Sequence, residues 1–329
     1  MCTNCGRCNE PDCHLTYDIQ HDKLALFIPR INPDRVFWNG RGSTPAEALD
    51  KYDIDEVYFT DHLQAWIQDW SLQYQGRLYI LHDYQSPGVP FFGKIDSSSL
   101  QLAANVARLI KDDHEVKLIR KANDISSEAH KQVLANITKF KNEAQVEGLF
   151  LDVCIANQAK QQAYDPIAAS GPNAGTLHYD ANNEDFDDRQ LMCLDAGCEY
   201  ELYASDITRT FPLSGSWPSL EAESIYLLVQ RMQETCIKRL APGVRYLDLH
   251  ILAHHIAIDG LLRLGIFHNG TIEEIYKAGT SKAFFPHGLG HHVGLEVHDV
   301  GQKELMSFYE RDPKYEKVRR NALTIHQQS

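Results

Sequence analysis

Asp195 and Asp206 bracket a stretch, D-A-G-C-E-Y-E-L-Y-A-S-D, that reads as a tight β-hairpin. The residues before it, L-M-C-L-D, are apolar, and those after it, I-T-R-T-F, are β-branched and aromatic. A hairpin folded symmetrically about Tyr200 and Glu201 sets the two carboxylates opposite each other on one face, Cβ atoms about 5 Å apart. Two like charges at that range do not both stay ionised without a cation. A pair of divalent ions roughly 3.5–4 Å apart is one arrangement that resolves the conflict. Taken alone, such a pair is more often a solvated hairpin end. A second cluster changes the balance. The stretch F-F-P-H-G-L-G-H-H-V-G-L-E-V-H-D, from Phe284 to Asp299, carries His287, His291, His292 and His298 among Gly288, Gly290 and Gly294. Glycines there let backbone approach a ligand, and imidazoles can ligate metal or move protons.

Two other groupings carry less. Cys2, Cys5, Cys8 and Cys13 give C-x2-C-x2-C-x4-C, with His14 next. Zinc or an iron–sulfur cluster could use three of them. The fourth has the wrong offset for the ferredoxin patterns and no second C-x-x-C follows, so no metal is expected there. His250 and His254 share a helix face, with His255 beside them, but the H-E-x-x-H arrangement is absent. They read as surface or packed histidines.

The elements that must position these residues fall into two parts. From His14, H-L-T-Y-D-I and L-A-L-F-I-P read as a hairpin, R-V-F-W-N-G as a further strand, and the stretch from Ser43 as a helix start with Pro45 in the first turn. D-E-V-Y-F and R-L-Y-I-L-H read as strands around the helical L-Q-A-W-I-Q, which makes a small α/β unit. Residues 85–94 read as a loop and 97–112 as an amphipathic helix leading to a boundary near residue 115. Helices are expected over 125–140 and 142–158, with Leu134, Ile137, Phe140 and then Val146, Leu149, Val153 as buried stripes. Pro166–Gly171 and Thr176–Tyr179 read as strands, with a loop between them, leading into the hairpin. Helices are expected from Ser219 to Leu240 and from Tyr246 to Leu264, the first stopped by Pro242-Gly243.

Composition narrows the class. With 43% hydrophobic and 23% charged residues over 329 positions, the chain can fold around a sizeable core. A net charge of −13 and the lack of a basic stripe exclude nucleic acid and anionic membrane as main partners. No apolar run is long enough to span a bilayer. The start, M-C-T-N-C-G-R-C, lacks the apolar centre of a secretory signal, so a cytoplasmic location and free thiols are expected.

Four stretches, A-S-G-P-N-A-G-T-L-H-Y, L-D-A-G-C-E-Y, Y-A-S-D-I-T-R-T-F-P and F-F-P-H-G-L-G-H-H-V-G-L-E-V-H-D-V-G, occur in an order and spacing that resemble the proline-specific pita-bread metallopeptidases. These are the aminopeptidase P (Xaa-Pro aminopeptidase) and prolidase enzymes, and the likeness is to their fungal forms. It runs from about Cys8 to Lys303. It implies an α+β chain: a shortened α/β N-terminal domain over 1–115, then a pita-bread (creatinase/aminopeptidase-like) catalytic domain over 116–329, cut short at its C-terminal end. It implies a hydrolase releasing the N-terminal residue from peptides with proline second, and a possible homodimer. Position by position, it implies Asp195, Asp206 and His291 as ligands of two Mn2+ ions. His178 and His298 would stabilise substrate and tetrahedral intermediate, and His287 would lie beside the proline subsite, which Phe284 and Phe285 would shape. A water between the ions becomes nucleophilic at neutral pH, and a metal and a histidine stabilise the oxyanion. The family adds two glutamate ligands after the histidine cluster, one within E-P-G. No E-P-G occurs here, and Glu304, Glu310 and Glu316 read as a charged tail. The second ion is therefore expected to be weakly held. The alternatives are an impaired or inactive fragment of the same fold, or an Xaa-Pro dipeptidase.

Overall fold

The computed structural model describes Cys8 and residues 10–301. Cys2, Cys5 and the three tail glutamates lie outside the described residues. The chain forms two compact units, dividing between Ala104 and Asn105.

In the first unit, β1 (His14–Asp18) and β2 (Lys23–Ile28) form the expected antiparallel hairpin. Leu26, Phe27 and Ile28 are all buried. That continuous apolar run suits a central strand covered on both faces, and β2 pairs in parallel with β3 (Glu56–Phe59). R-V-F-W-N-G is not a strand but α1 (Pro33–Asn39). Asn32 caps it by accepting a hydrogen bond from the Asp34 amide at 3.0 Å, and Pro33 pre-sets the first turn. These start signals outweigh the β-propensity of Val36, Phe37 and Trp38. Helix α2 (Pro45–Lys51) starts with a Thr44–Glu47 capping box. Helix α3 (Leu63–Tyr74) precedes β4 (Arg77–Tyr79), which pairs with β5 (Lys94–Asp96) at the end of the stretch read as loop. Helix α4 (Leu100–Leu109) contains the division between units.

In the second unit, α5 (Asp113–Asn136) begins well before the expected residue 125, because Asp112 and Glu115 form a capping box. With α6 (Glu143–Ala156) it supplies Ile125, Ala129, Val133, Val146, Phe150 and Cys154 to the core. Leu134 points outward, 43% exposed: the buried face of α5 follows the i, i+4 row through Val133. The same core takes Met192 and Leu194 from a three-stranded antiparallel sheet. Its order is β10 (Thr208–Pro212), β7 (Leu191–Asp195), β6 (Ile167–Ser170). Residues 176–179 form a turn rather than a strand. The short β8 (Glu199–Tyr200) and β9 (Tyr203–Ala204) close the hairpin between β7 and β10. Then follow α7 (Leu220–Arg239), α8 (Tyr246–Arg263) and α9 (Ile272–Lys277). No helix among the described residues is long and apolar enough to cross a membrane.

The hairpin turns one residue later than its symmetric reading. Glu199 pairs with Ala204 and Tyr200 with Tyr203, so the turn is Glu201–Leu202. Their φ values, 48° and 71°, are those of a two-residue type I′ turn, whose twist matches the strands. Asp195 is therefore opposite Thr208, not Asp206. Putting Asn-Gly at 201–202 is expected to stabilise the fold by ~1 kcal/mol, since both residues then enter the left-handed region with little strain. A raised denaturant midpoint at unchanged slope is the expected reading; a lowered midpoint would show that Leu202 packing outweighs the strain.

Candidate metal centre

The register change does not separate the two carboxylates. Between β7 and β8 the chain passes through Gly197, where an added Cβ would lie 2.0 Å from the Ser205 carbonyl oxygen. That close crossing brings the end of β7 against the segment after β9. Tyr164 then spans the gap: its hydroxyl lies 2.5 Å from Asp195 Oδ1 and 2.8 Å from Asp206 Oδ1. One hydroxyl hydrogen cannot satisfy both. Burial and the neighbouring Asp206 charge push Asp195 above the usual carboxylate range, despite the Tyr164 hydrogen bond. Burial acts upward on Asp206 too, but hydrogen bonds from His291 and Tyr164 hold it below its ordinary value.

The histidine loop closes the other side. His291 Nε2 is 3.0 Å from Asp206 Oδ2, and its Nδ1 is 2.9 Å from the His292 carbonyl, to which it donates. With Nδ1 held by that carbonyl, Nε2 is the nitrogen that faces Asp206: it donates there when the ring is protonated and would be the ligating atom of the neutral ring. The His298 ring stacks edge-on at 4.1 Å. Ligand atoms of Asp206, His291 and His298 all lie within 4.8 Å of one another. The Asp206 hydrogen bond raises the His291 pKa against burial. Burial lowers that of His298, with the His291 and His178 charges acting the same way.

The donor set fits a divalent cation. It offers a carboxylate and two imidazoles, with a second carboxylate joined through Tyr164, and among the described residues no lysine or arginine bonds either aspartate. Asp195, a ligand in the sequence reading, meets the group through Tyr164. His298, read as lining the site, stands among the donors. His178 is exposed but close enough for its charge to act on His298. His287 stands outside the donor group; its Nδ1 donates to the Gly288 carbonyl at 2.8 Å and its ring meets Phe285 at 5.0 Å. Phe284 is 54% exposed and edges onto Phe267. Sequence reasoning missed Tyr164, a lone tyrosine in Q-A-Y-D-P with no periodic or motif signal.

With this geometry in place, similarity to known proteins can be weighed. The sequence model of metallopeptidase family M24 matches residues 117–322, and that of the aminopeptidase P N-terminal domain matches residues 6–79. The chain belongs to metallopeptidase family M24. Its curated relatives include a probable Xaa-Pro aminopeptidase of Pyrenophora tritici-repentis, 74% identical over 314 residues, which cover 94% of this chain and 48% of the relative. Another, from Uncinocarpus reesii, is 53% identical and is covered to 74% of its length, with 92% of this chain aligned. The chain thus spans about half the length of the first of these M24 relatives. Among solved structures, aminopeptidase P from E. coli superposes with a TM-score of 0.81 at 26% identity, covering 92% of this chain and 73% of that one. A zinc-substituted form of it in complex with product gives 0.80 at 27%, with the same coverage. This M24 chain has the pita-bread aminopeptidase P fold, preceded by the family's N-terminal domain.

Beside the centre, α8 packs its histidines as the sequence implied. His254 is 2% exposed, with its ring against Phe285 at 4.9 Å and Tyr276 at 5.8 Å. Burial pushes its pKa down to about 4, and the charges of His250, Lys282 and His255 act in the same direction. The unfolded chain takes up this proton near pH 6.5, the folded chain only near 4. Stability should therefore fall as pH drops through that window, by up to ~3 kcal/mol. Urea unfolding of His254→Phe between pH 7 and 5 should show a flatter profile than wild type; an unchanged slope would remove His254 as the cause.

Proposed function

We propose that this chain carries the metal-dependent chemistry of an Xaa-Pro aminopeptidase, releasing the N-terminal residue from peptides with proline in the second position. The observation that carries the reading is the convergence of Asp206, His291 and His298 on one point beside the Asp195–Tyr164–Asp206 bridge. The names of the M24 relatives point the same way. Asp195, Asp206 and His291 would hold divalent metal, manganese by the family's habit, with His298 close enough to join them. A divalent cation there neutralises the paired carboxylates and makes water acidic enough to act as a nucleophile at neutral pH.

The remaining roles fall to the chain itself. Asp206 is kept ionised by its hydrogen-bond donors, so it needs no deprotonation before ligating. Burial keeps His298 largely neutral near pH 7, so it can accept a hydrogen bond from the substrate or hold a proton in transit. His178, whose charge reaches His298, can donate to the carbonyl oxygen as charge develops. His287 and Phe285, in mutual contact, form an apolar face with a polar edge suited to a proline ring.

The test is hydrolysis of Xaa-Pro-Yaa peptides and Xaa-Pro dipeptides by purified chain with added manganese. Metal-dependent release of the N-terminal residue, preferring the longer peptides, is expected. Preference for dipeptides would favour an Xaa-Pro dipeptidase, and cleavage regardless of proline would overturn the reading.

A further inference from the structure

Glu143, the first residue of α6, is fully buried, yet its carboxylate serves little purpose for its own helix, which Asn142 caps through the Gln145 amide. It is instead spent on the segment after β6. Oε1 accepts hydrogen bonds from the Ser170 amide at 2.8 Å, the Ser170 hydroxyl at 2.7 Å and the Asn173 side chain at 3.0 Å. Oε2 accepts from the Tyr179 hydroxyl at 2.7 Å and the Glu184 amide at 3.1 Å. The Arg189 guanidinium stands 3.6 Å away and donates to Ser170. A charge-assisted set of this size is far stronger than neutral hydrogen bonds. All four residues it grips belong to one strap, 170–184, and His178 lies between two of the anchors, Asn173 and Tyr179. Beyond Ser170, the last residue of β6, the strap to residue 184 forms no strand and carries one short helical turn, 171–175.

We infer that Glu143 is the positioning residue for His178: it fastens the strap on both sides of that histidine and so holds the imidazole within range of His298, on which its charge acts. The role given to His178 rests on the Xaa-Pro peptidase reading; the fastening itself does not. Glu143 touches neither substrate nor metal ligand, so its effect should pass through His178 alone.

The test compares Glu143→Gln and the milder Tyr179→Phe in the full chain. Hydrogen exchange over 171–184 should quicken about tenfold in both, while β7 and β10 keep their protection. The His178 ring resonance should move towards its random-coil position. Manganese affinity should stay within about twofold, because none of the donors is touched. Turnover of an Xaa-Pro-Yaa peptide should fall about tenfold, with no further loss when either change is added to His178→Ala. Unchanged exchange and ring resonance in both variants would overturn the inference, as would losses that multiply with that of His178→Ala. Should wild type show no turnover at all, the Xaa-Pro reading fails, while exchange and ring resonance still decide the fastening.

Discussion

Asp206→Asn is expected to abolish the stabilisation of this chain by manganese while leaving the metal-free fold as stable as wild type, or more so. Asp206 sits at the crossing of all the site's polar contacts, from Tyr164 on one oxygen and His291 on the other. An asparagine placed there still accepts one of these hydrogen bonds. It also removes the charge that adds to burial in raising Asp195 above its usual range. The metal-free protein thus loses a repulsion, a familiar trade between stability and function. Metal binding loses its central anion. For wild type, an ion present at a hundred times its dissociation constant should add ~2.7 kcal/mol. Thermal unfolding with and without manganese reads both effects. A variant that still gains stability from manganese would place the ion elsewhere.

Asp299→Ala should be the most damaging single change outside the donor set. The Asp299 side chain is 1% exposed and accepts from Arg108 Nη2 at 2.5 Å and Lys111 Nζ at 2.6 Å. Its amide donates to the His292 carbonyl. Gly294 passes so close that a Cβ there would meet Asp299 Oδ2 at 2.3 Å, and the Gly294 carbonyl accepts from the Ala204 amide at 2.8 Å. One buried carboxylate thus ties Arg108 in α4 and Lys111 just after it to the histidine loop, whose Gly294 in turn bonds the hairpin carrying Asp206. Removing it strips the buried partner from two mostly buried cations, Arg108 keeping only the more exposed Glu296 at 3.3 Å, a loss of ~3 kcal/mol. Asp299→Asn keeps the shape and should recover part of this. Equal stability of wild type and Asp299→Ala in urea would show the ion pairs to be dispensable.

What was legible from sequence, and what was not, follows physical lines. Asp195, Asp206, His291 and His298 stand out because carboxylate and imidazole types recur around glycines at short range. Such local patterns survive without knowledge of the fold. The hairpin was visible, but its centre was set by which two residues accept positive φ, and neither Glu201 nor Leu202 advertises that. In α1 the cap and proline decided against residues that look like a strand. Tyr164, Glu143 and Asp299 escaped for a different reason. Each acts on partners distant in sequence, Glu143 on Tyr179 and Asp299 on Arg108, and a single tyrosine or acid gives no periodic signal. The residues proposed to touch a substrate or ion were readable; the parts that hold them still were not.

Anomalous diffraction from crystals of the chain grown with manganese would test the metal centre most directly. A peak coordinated by Asp206 and His291, with His298 and Asp195 alongside, is predicted. No peak there, with manganese bound at another site, would contradict it.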